Sequence, residues 1–424
     1  MGERERTRVV EESESVAHRR RTYPDPVGEA VVAAQVEAPG RDLVAVCLGI
    51  AATISPGFML GSLYVEMGPD LGFGEATSGA LVAAFFGASA VLSAPLGRWV
   101  DRRGPAFTLR VALVGSAVLQ AAIGVLGRSA LLIGLLALVA GTANALCQVS
   151  ANVWIARNVS ARRQGFAFAA KQSSMPAASL VAGLALPVLV ARFGWRWAFA
   201  AGVVLAAVAL VGLAGPGDER NAGPARSGEG DGRASRSDRA ALLSLAAAAA
   251  FSSGAAVTLG SFYVNSAVHA GVADGSAGVL LAVGSVVSIA SRLVAGAWAD
   301  RRRGALLGLV AVMLALGAAS YLVLMFDTPW AHVAALPLAF GAGWAWPGVF
   351  NLSVVRAHPD QPGRATGITQ SGTYVGATSG PLLFGILAER WTYTGAWLVA
   401  ALIGAAAAVA VLNARRVLGA RTRS

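Results

Sequence analysis

Lysine is almost missing from this chain: of its 34 basic residues, 33 are arginine and Lys171 is the single lysine. Charge as a whole is scarce, at 13% of residues, where a soluble domain carries roughly a quarter. Acidic residues are absent from the interior of every long apolar run; Glu66, Asp327 and Glu389 stand only at the ends. The four histidines (His18, His269, His332, His358) are scattered, and no HExxH, P-loop or dinucleotide fingerprint occurs. Metal-dependent hydrolysis and nucleotide-driven work therefore find no support, and neither enzymatic activity nor a cofactor or metal is expected. Cys47 and Cys147 both fall in apolar runs, where they read as small hydrophobes and give no disulfide framework.

What the chain does have is length and apolarity. It holds 424 residues, 55% of them hydrophobic, with a mean hydropathy of +0.61. Twelve runs of about 20 apolar residues, each enough to cross a hydrocarbon core at 1.5 Å per residue, are expected near 43–66, 76–97, 106–127, 130–155, 166–190, 195–215, 240–267, 276–298, 304–326, 330–354, 365–388 and 395–413. A soluble helical protein would show polar faces at helical period, and these runs show none. The expectation is an all-α membrane protein of twelve transmembrane helices.

The net charge of +11 is a matter of placement rather than of nucleic-acid binding. With the N-terminus in the cytoplasm, 28 arginines fall in cytoplasmic segments and four (Arg128, Arg192, Arg196, Arg390) on the other side. That asymmetry predicts cytoplasmic N- and C-termini. The Arg-, Ala- and Gly-rich composition suggests a high-GC bacterial genome, and hence a multi-pass protein of a bacterial inner membrane. Residues 1–40 read as a disordered cytoplasmic tail too polar for a signal-peptide core, 216–239 as a Gly/Ser/Arg-rich cytoplasmic linker, and 416–424 as a second tail.

The chain also repeats itself. Gly61-Ser62-Leu63-Tyr64-Val65 returns 199 positions later as Gly260-Ser261-Phe262-Tyr263-Val264. The same offset pairs Gly79 with Gly278, Trp99 with Trp298, Asn152 with Asn351 and Arg157 with Arg356; at offset 198, Gln172 pairs with Gln370 and Ser173 with Ser371. Two like-oriented six-helix bundles, residues 41–215 and 240–415, follow from this pattern, with a binding site expected at their seam near mid-membrane.

One repeated phrase has a known likeness. Gly97-Arg98-Trp99-Val100-Asp101-Arg102-Arg103-Gly104 follows the second run, and Gly296-Ala297-Trp298-Ala299-Asp300-Arg301-Arg302-Arg303-Gly304 follows the eighth. This resembles the cytoplasmic loop signature of the major facilitator superfamily, and with the twelve-run plan the resemblance covers about residues 41–415. It implies a transporter working by alternating access. It also implies that Asp101 and Asp300, with Gly97, Arg102, Arg103, Gly104, Gly296 and Arg301, belong to a cytoplasmic gate. Without the resemblance, the same residues also fit a basic turn obeying the positive-inside rule.

Two cations lie inside apolar runs, where an ionisable group is costly and usually faces a cavity. Lys171 sits about five residues into the fifth run, and Arg292 eight residues before Asp300, about 12 Å from the loop. Each either faces a cavity or snorkels to the interface. Arg292 also resembles the span-8 arginine of superfamily monocarboxylate carriers, although Ser288 stands where those place an aspartate and the first run has no lysine. Gln172, Asn152, Asn351, Gln370, Tyr374 and Trp346 are further candidate substrate contacts, and Tyr64, Gln148, Tyr263, Asn265 and Trp344 candidate wall residues; taken singly, each of these apart from Gln172 suits helix packing or helix–helix hydrogen bonding better.

Two buried cations and no buried carboxylate point to a small organic anion or a neutral polar metabolite, with any proton coupling able to use the substrate's own carboxyl group. The expected partners are that small molecule and the lipid bilayer, with no nucleic acid and a monomeric chain. A proton-coupled multidrug efflux antiporter is the alternative within the class. A non-transporting membrane sensor on the same fold is the alternative outside it.

Overall fold

The computed structural model describes residues 40–159, 164–213, 236–300, 306–358 and 362–421. The first expected tail lies outside these except for Gly40, and most of the expected linker lies outside them too.

The described residues form twelve long helices. The first bundle holds α1 (Gly40–Ser62), α2 (Glu75–Arg103), α3 (Pro105–Leu126), α4 (Ala130–Asn158), α5 and α6. Helix α5 runs Gln164–Ala185 and continues through a π turn, Leu186–Val190; α6 is Ala198–Gly212, entered by a 3-10 turn at Trp195–Trp197. The second bundle holds α7 (Arg236–His269), α8 (Asp274–Asp300), α9 (Leu306–Leu324), α10 (Pro329–Ala357), α11 (Pro362–Arg390) and α12 (Tyr393–Arg421).

Eleven of these are long and apolar enough to cross a membrane, among the described residues. Helix α11 is equally long at 29 residues, but Gln370, Thr373, Tyr374 and Thr378 dilute its apolar character because it faces the interior seam. Large aliphatic side chains such as Val91, Leu131 and Val294 are at least 70% exposed around the outside, as a lipid-facing surface requires. This is an integral, multi-pass membrane protein.

Three boundaries differ from the sequence expectation. The first run stops at Ser62, and Tyr64–Leu71 forms a separate short helix closed by Gly72 at φ +68°. Helix α12 continues to Arg421, so all but the last residues expected as tail are helical; Ala, Leu and Arg are good helix formers, and basic residues suit a helix C-terminus. Helix α7 begins at Arg236, inside the expected linker.

Alternating direction over twelve helices brings Gly40 and Arg421 to the same end of the molecule, called here the terminal end. At the far end the bundles are sealed, and the sealing residues are those of the repeat. On α1 and α7, Ser62 Oγ donates to the Gly260 carbonyl at 3.2 Å and Asn265 Nδ2 to the Gly61 carbonyl at 3.1 Å. On α2 and α11, a Cβ added to Gly79 would come within 2.5 Å of the Pro381 carbonyl; on α5 and α8, one added to Gly183 would come within 2.6 Å of the Gly278 carbonyl. Gly79 and Gly278 are repeat mates, and Pro381 lies 198 positions after Gly183. One contact is thus made twice by a pseudo-twofold arrangement. Only a residue without Cβ permits so close a crossing.

Candidate functional site

In the terminal half of the molecule the bundles enclose a cavity of about 980 Å³, counted to its open mouth. All eight side chains expected to contact substrate line it: Lys171 and Gln172 on α5, Asn152 on α4, Arg292 on α8, Trp346 and Asn351 on α10, and Gln370 and Tyr374 on α11. Asn152 with Asn351 and Gln172 with Gln370 are repeat mates, so each bundle gives the wall the same amide pair.

Neither cation snorkels. Lys171 is 8% exposed and Arg292 3% exposed. Lys171 Nζ donates to Asn152 Oδ1 at 2.7 Å. Arg292 Nη1 donates to the Gln172 carbonyl in the opposite bundle and Nη2 to the Trp344 carbonyl at 2.6 Å, while the guanidinium carbon lies 5.9 Å from the Trp344 ring centre. Trp344 and Trp346 are buried where α10 breaks, between its π turn Ala339–Gly343 and the helix Pro347–Ala357. The Trp346 indole N–H has no partner among the described residues.

No carboxylate lines the cavity among the described residues. What converges there is two formal cations, a set of amides (Asn144, Gln148, Asn152, Gln172, Asn351, Gln370), hydroxyls from Ser93, Ser253, Thr373 and Tyr374, and the aromatic rings of Phe86 and Trp344. Such a wall can neutralise an anion, hydrogen-bond a polar solute and stack on a planar one. It offers no acid–base pair.

Ser93, Asn144, Thr373 and Phe86 were not singled out by sequence. Ser93 could have been, since it stands 199 positions before Arg292 in the repeat. Three of the wall candidates lie elsewhere. Tyr64 packs on Phe73 beyond α1, Tyr263 donates to the His332 carbonyl at 2.8 Å, and Asn265 belongs to the far-end seal. Ser173 and Ser371 each bond back to a carbonyl four residues earlier on their own helix.

Of the expected gate, Gly97 is half-buried against its own bundle, while Arg102 and Arg103 are exposed. Gly104 turns the chain from α2 into α3 at φ +84°, ψ 149°, a conformation reserved for glycine. Gly296 sits on α8 opposite Ala169 of α5. The side chains of Asp101 and Asp300, and Arg301 altogether, lie outside the described residues.

Comparison with known proteins fits this architecture. No curated protein matches the chain by sequence. Among solved structures, the chain is similar to a D-xylose–proton symporter (14% identity, TM-score 0.72), covering 88% of this chain and 96% of that one. It is also similar to a bacterial homolog of the human lysosomal transporter Spinster in an inward-facing, occupied conformation (17% identity, TM-score 0.66, 90% and 96% covered). A variant of the nucleoside transporter NupG is similar as well (12% identity, TM-score 0.66, 88% and 98% covered). The family model of the Major Facilitator Superfamily matches residues 46–377, most of both bundles, and the chain belongs to that superfamily.

Proposed function

We propose that this protein is a secondary active transporter that carries a small organic anion across a bacterial inner membrane by alternating access. Its bundles, residues 41–215 and 240–415, rock about the seam, with both termini cytoplasmic. The observation that carries the reading is the cavity wall: two buried cations, Lys171 and Arg292, and no carboxylate among its described residues. An anion would offset this buried positive charge, and a guanidinium can hold a carboxylate by two parallel bonds. The far-end seal and the cavity in the terminal half support a conformation open toward the cytoplasm. Asp101 and its flanking arginines would close that side in the opposite state. The same wall argues against proton-coupled export of cationic drugs, for which a buried carboxylate is the natural partner.

A neutral polar solute is the second reading, favoured by the amides from both bundles and by the structural neighbours that carry D-xylose and nucleosides. Flux into proteoliposomes separates them. Uptake of labelled carboxylates is expected to fall at least tenfold in Lys171→Gln or Arg292→Gln. Unchanged carboxylate flux in both variants, or flux confined to neutral sugars, would remove the charge argument. Flux of cationic drugs in its place would restore the exporter alternative.

A further inference from the structure

Arg292 does not stand free in the cavity. Its two Nη groups are docked on main-chain carbonyls, Gln172 on α5 of the opposite bundle and Trp344 on α10. A carbonyl inside a helix is ordinarily taken by the N–H four residues on. For Gln172 that residue is Pro176, which has no N–H to give. Trp344 stands at the break in α10. Two helix defects, one in each bundle, therefore meet at one guanidinium.

The symmetry-related seam lacks the device. The repeat mate of Arg292 is Ser93, and that of Pro176, at offset 198, is Tyr374, which keeps its N–H. The Ser93 hydroxyl donates to the Ser89 carbonyl of its own helix. Among the described residues, a tie between bundles made by a cavity cation is thus built on the α5–α8 side alone.

We propose that Arg292 is a ligand-released tie between the bundles, and that Pro176 is the positioning residue that creates it by freeing the Gln172 carbonyl. The release half rests on the reading that an anion binds in the cavity. Nε of Arg292 is buried with no partner among the described residues, so one donor stays unsatisfied until the guanidinium shifts toward a ligand. A carboxylate that engages Nε and Nη2, which share one edge of the guanidinium, replaces the neutral Trp344 carbonyl with a charged acceptor, and such a bond is roughly twice as strong. Drawn toward that ligand, the guanidinium pulls Nη1 off the Gln172 carbonyl, and the α5–α8 seam loses this cross-bundle bond while the cavity is occupied. A neutral solute makes no such exchange, so the tie also sets specificity for anions.

Pro176→Ala tests this without touching the arginine, because it returns an N–H to the Gln172 carbonyl. Spin labels at Phe107→Cys in the first turn of α3 and Val355→Cys in the last turn of α10, both exposed, report the separation of the bundles in a chain with Cys47 and Cys147 changed to Ala. Without ligand, Pro176→Ala is expected to shift the ratio of distance populations about tenfold, the worth of one hydrogen bond to a charged group. The shift should match the one that acetate, lactate, succinate or benzoate produces in the parent. On an Arg292→Gln background the same change should do nothing. An equal shift with and without Arg292 would mean that the proline acts only through the shape of α5, and would overturn the tie, as would no shift in either. An Arg292-dependent shift with no response to any carboxylate would keep the tie but overturn its release by an anion, and with it the anion reading of the cavity.

Discussion

Removing the carboxylate of Glu389 should open the far end of the transporter. Helix α2 starts there at Glu75 behind Gly74, which has no side chain to cap it. The cap comes from the other bundle: Glu389, on the last turn of α11, accepts the Ala76 N–H at Oε2, 2.7 Å away. A Cβ on Gly74 would run into that carboxylate. Tyr393 donates to Glu75 across the same seam. A side-chain cap is worth about 1 kcal/mol, and a negative charge at a helix N-terminus adds about 0.3–1 kcal/mol. Glu389 is exposed, so the sum belongs near about 1–1.4 kcal/mol, or a five- to tenfold change in the ratio of closed to open states. Because the bond crosses the seam, nearly all of it is lost on opening. The assay is alkylation of a Ser261→Cys variant by a membrane-impermeant maleimide; Ser261 is buried on α7 against Gly61, and its hydroxyl has no partner among the described residues. Glu389→Ala should speed labelling about five- to tenfold, and Glu389→Gln, which keeps the acceptor and loses the charge, about twofold. An unchanged rate in the Ala variant, or an equal effect of Gln and Ala, would refute the reasoning.

Two other perturbations act on the same end. Gly278→Val should force α5 from α8, since even a Cβ there meets the Gly183 carbonyl and Leu186; overpacking of this kind costs about 1–3 kcal/mol. In the Ser261→Cys background the melting temperature should fall and maleimide labelling rise, whereas Gly367→Ala, with no atom within 4 Å of the added Cβ, should leave both unchanged. Asp70, beyond α1, accepts Trp195 Nε1–H at 2.9 Å and Arg196 Nη1–H at 3.0 Å, and these bonds hold its carboxyl below the usual aspartate value of 3.8. A lowered folded pKa adds stability above the unfolded value and loses it as pH falls through the folded one. Asp70→Asn should therefore cost about 1 kcal/mol or less near pH 7, because the pair is half exposed, and nothing once the pH has fallen through the lowered folded value and the carboxyl is protonated. A cost that persists in acid, measured by thermal unfolding across that range, would show that the bonds do not depend on the charge.

Hydropathy located all twelve long helices among the described residues, including α11 with its polar positions, and missed the short helix Tyr64–Leu71. The repeat revealed two bundles from residue identity alone. It did not disclose that Gly61, Ser62, Gly79, Gly183, Gly260 and Gly278 are the surfaces on which the bundles touch, because a glycine in an apolar run looks the same whether it meets lipid, its own bundle or the other one. The polar positions inside the runs were legible as a group and converge on one cavity. Which of them would fall outside was not: Asn265 and Asn351 look alike in sequence, and only the crossing of α1 with α7 sends Asn265 to the Gly61 carbonyl. The cross-bundle bond of Arg292 was hidden for a different reason. Its acceptor is a main-chain carbonyl, and Pro176 announces a missing donor without saying which side chain will come to fill the gap.

The α2–α11 pair links the two ends of the molecule. The helices are antiparallel, so the C-terminus of each lies beside the N-terminus of the other. Each ends near a carboxylate: Asp101 in the last turn of α2 and Glu389 in the last turn of α11. In this conformation the Glu389 contact with the start of α2 is made and the far end is sealed. If the bundles rock about the seam as proposed, one end opens as the other closes, so a cap by Glu389 on α2 and a cap by Asp101 on α11 would stabilise opposite states. Their removal should then have opposite signs in one assay. Where Glu389→Ala speeds maleimide labelling of the Ser261→Cys thiol, Asp101→Asn should slow it, and combining the two should return the rate toward the parent value. If Asp101→Asn speeds labelling as well, Asp101 does not serve the outward-open state, and the basic-turn reading of Gly97 to Gly104 would take its place.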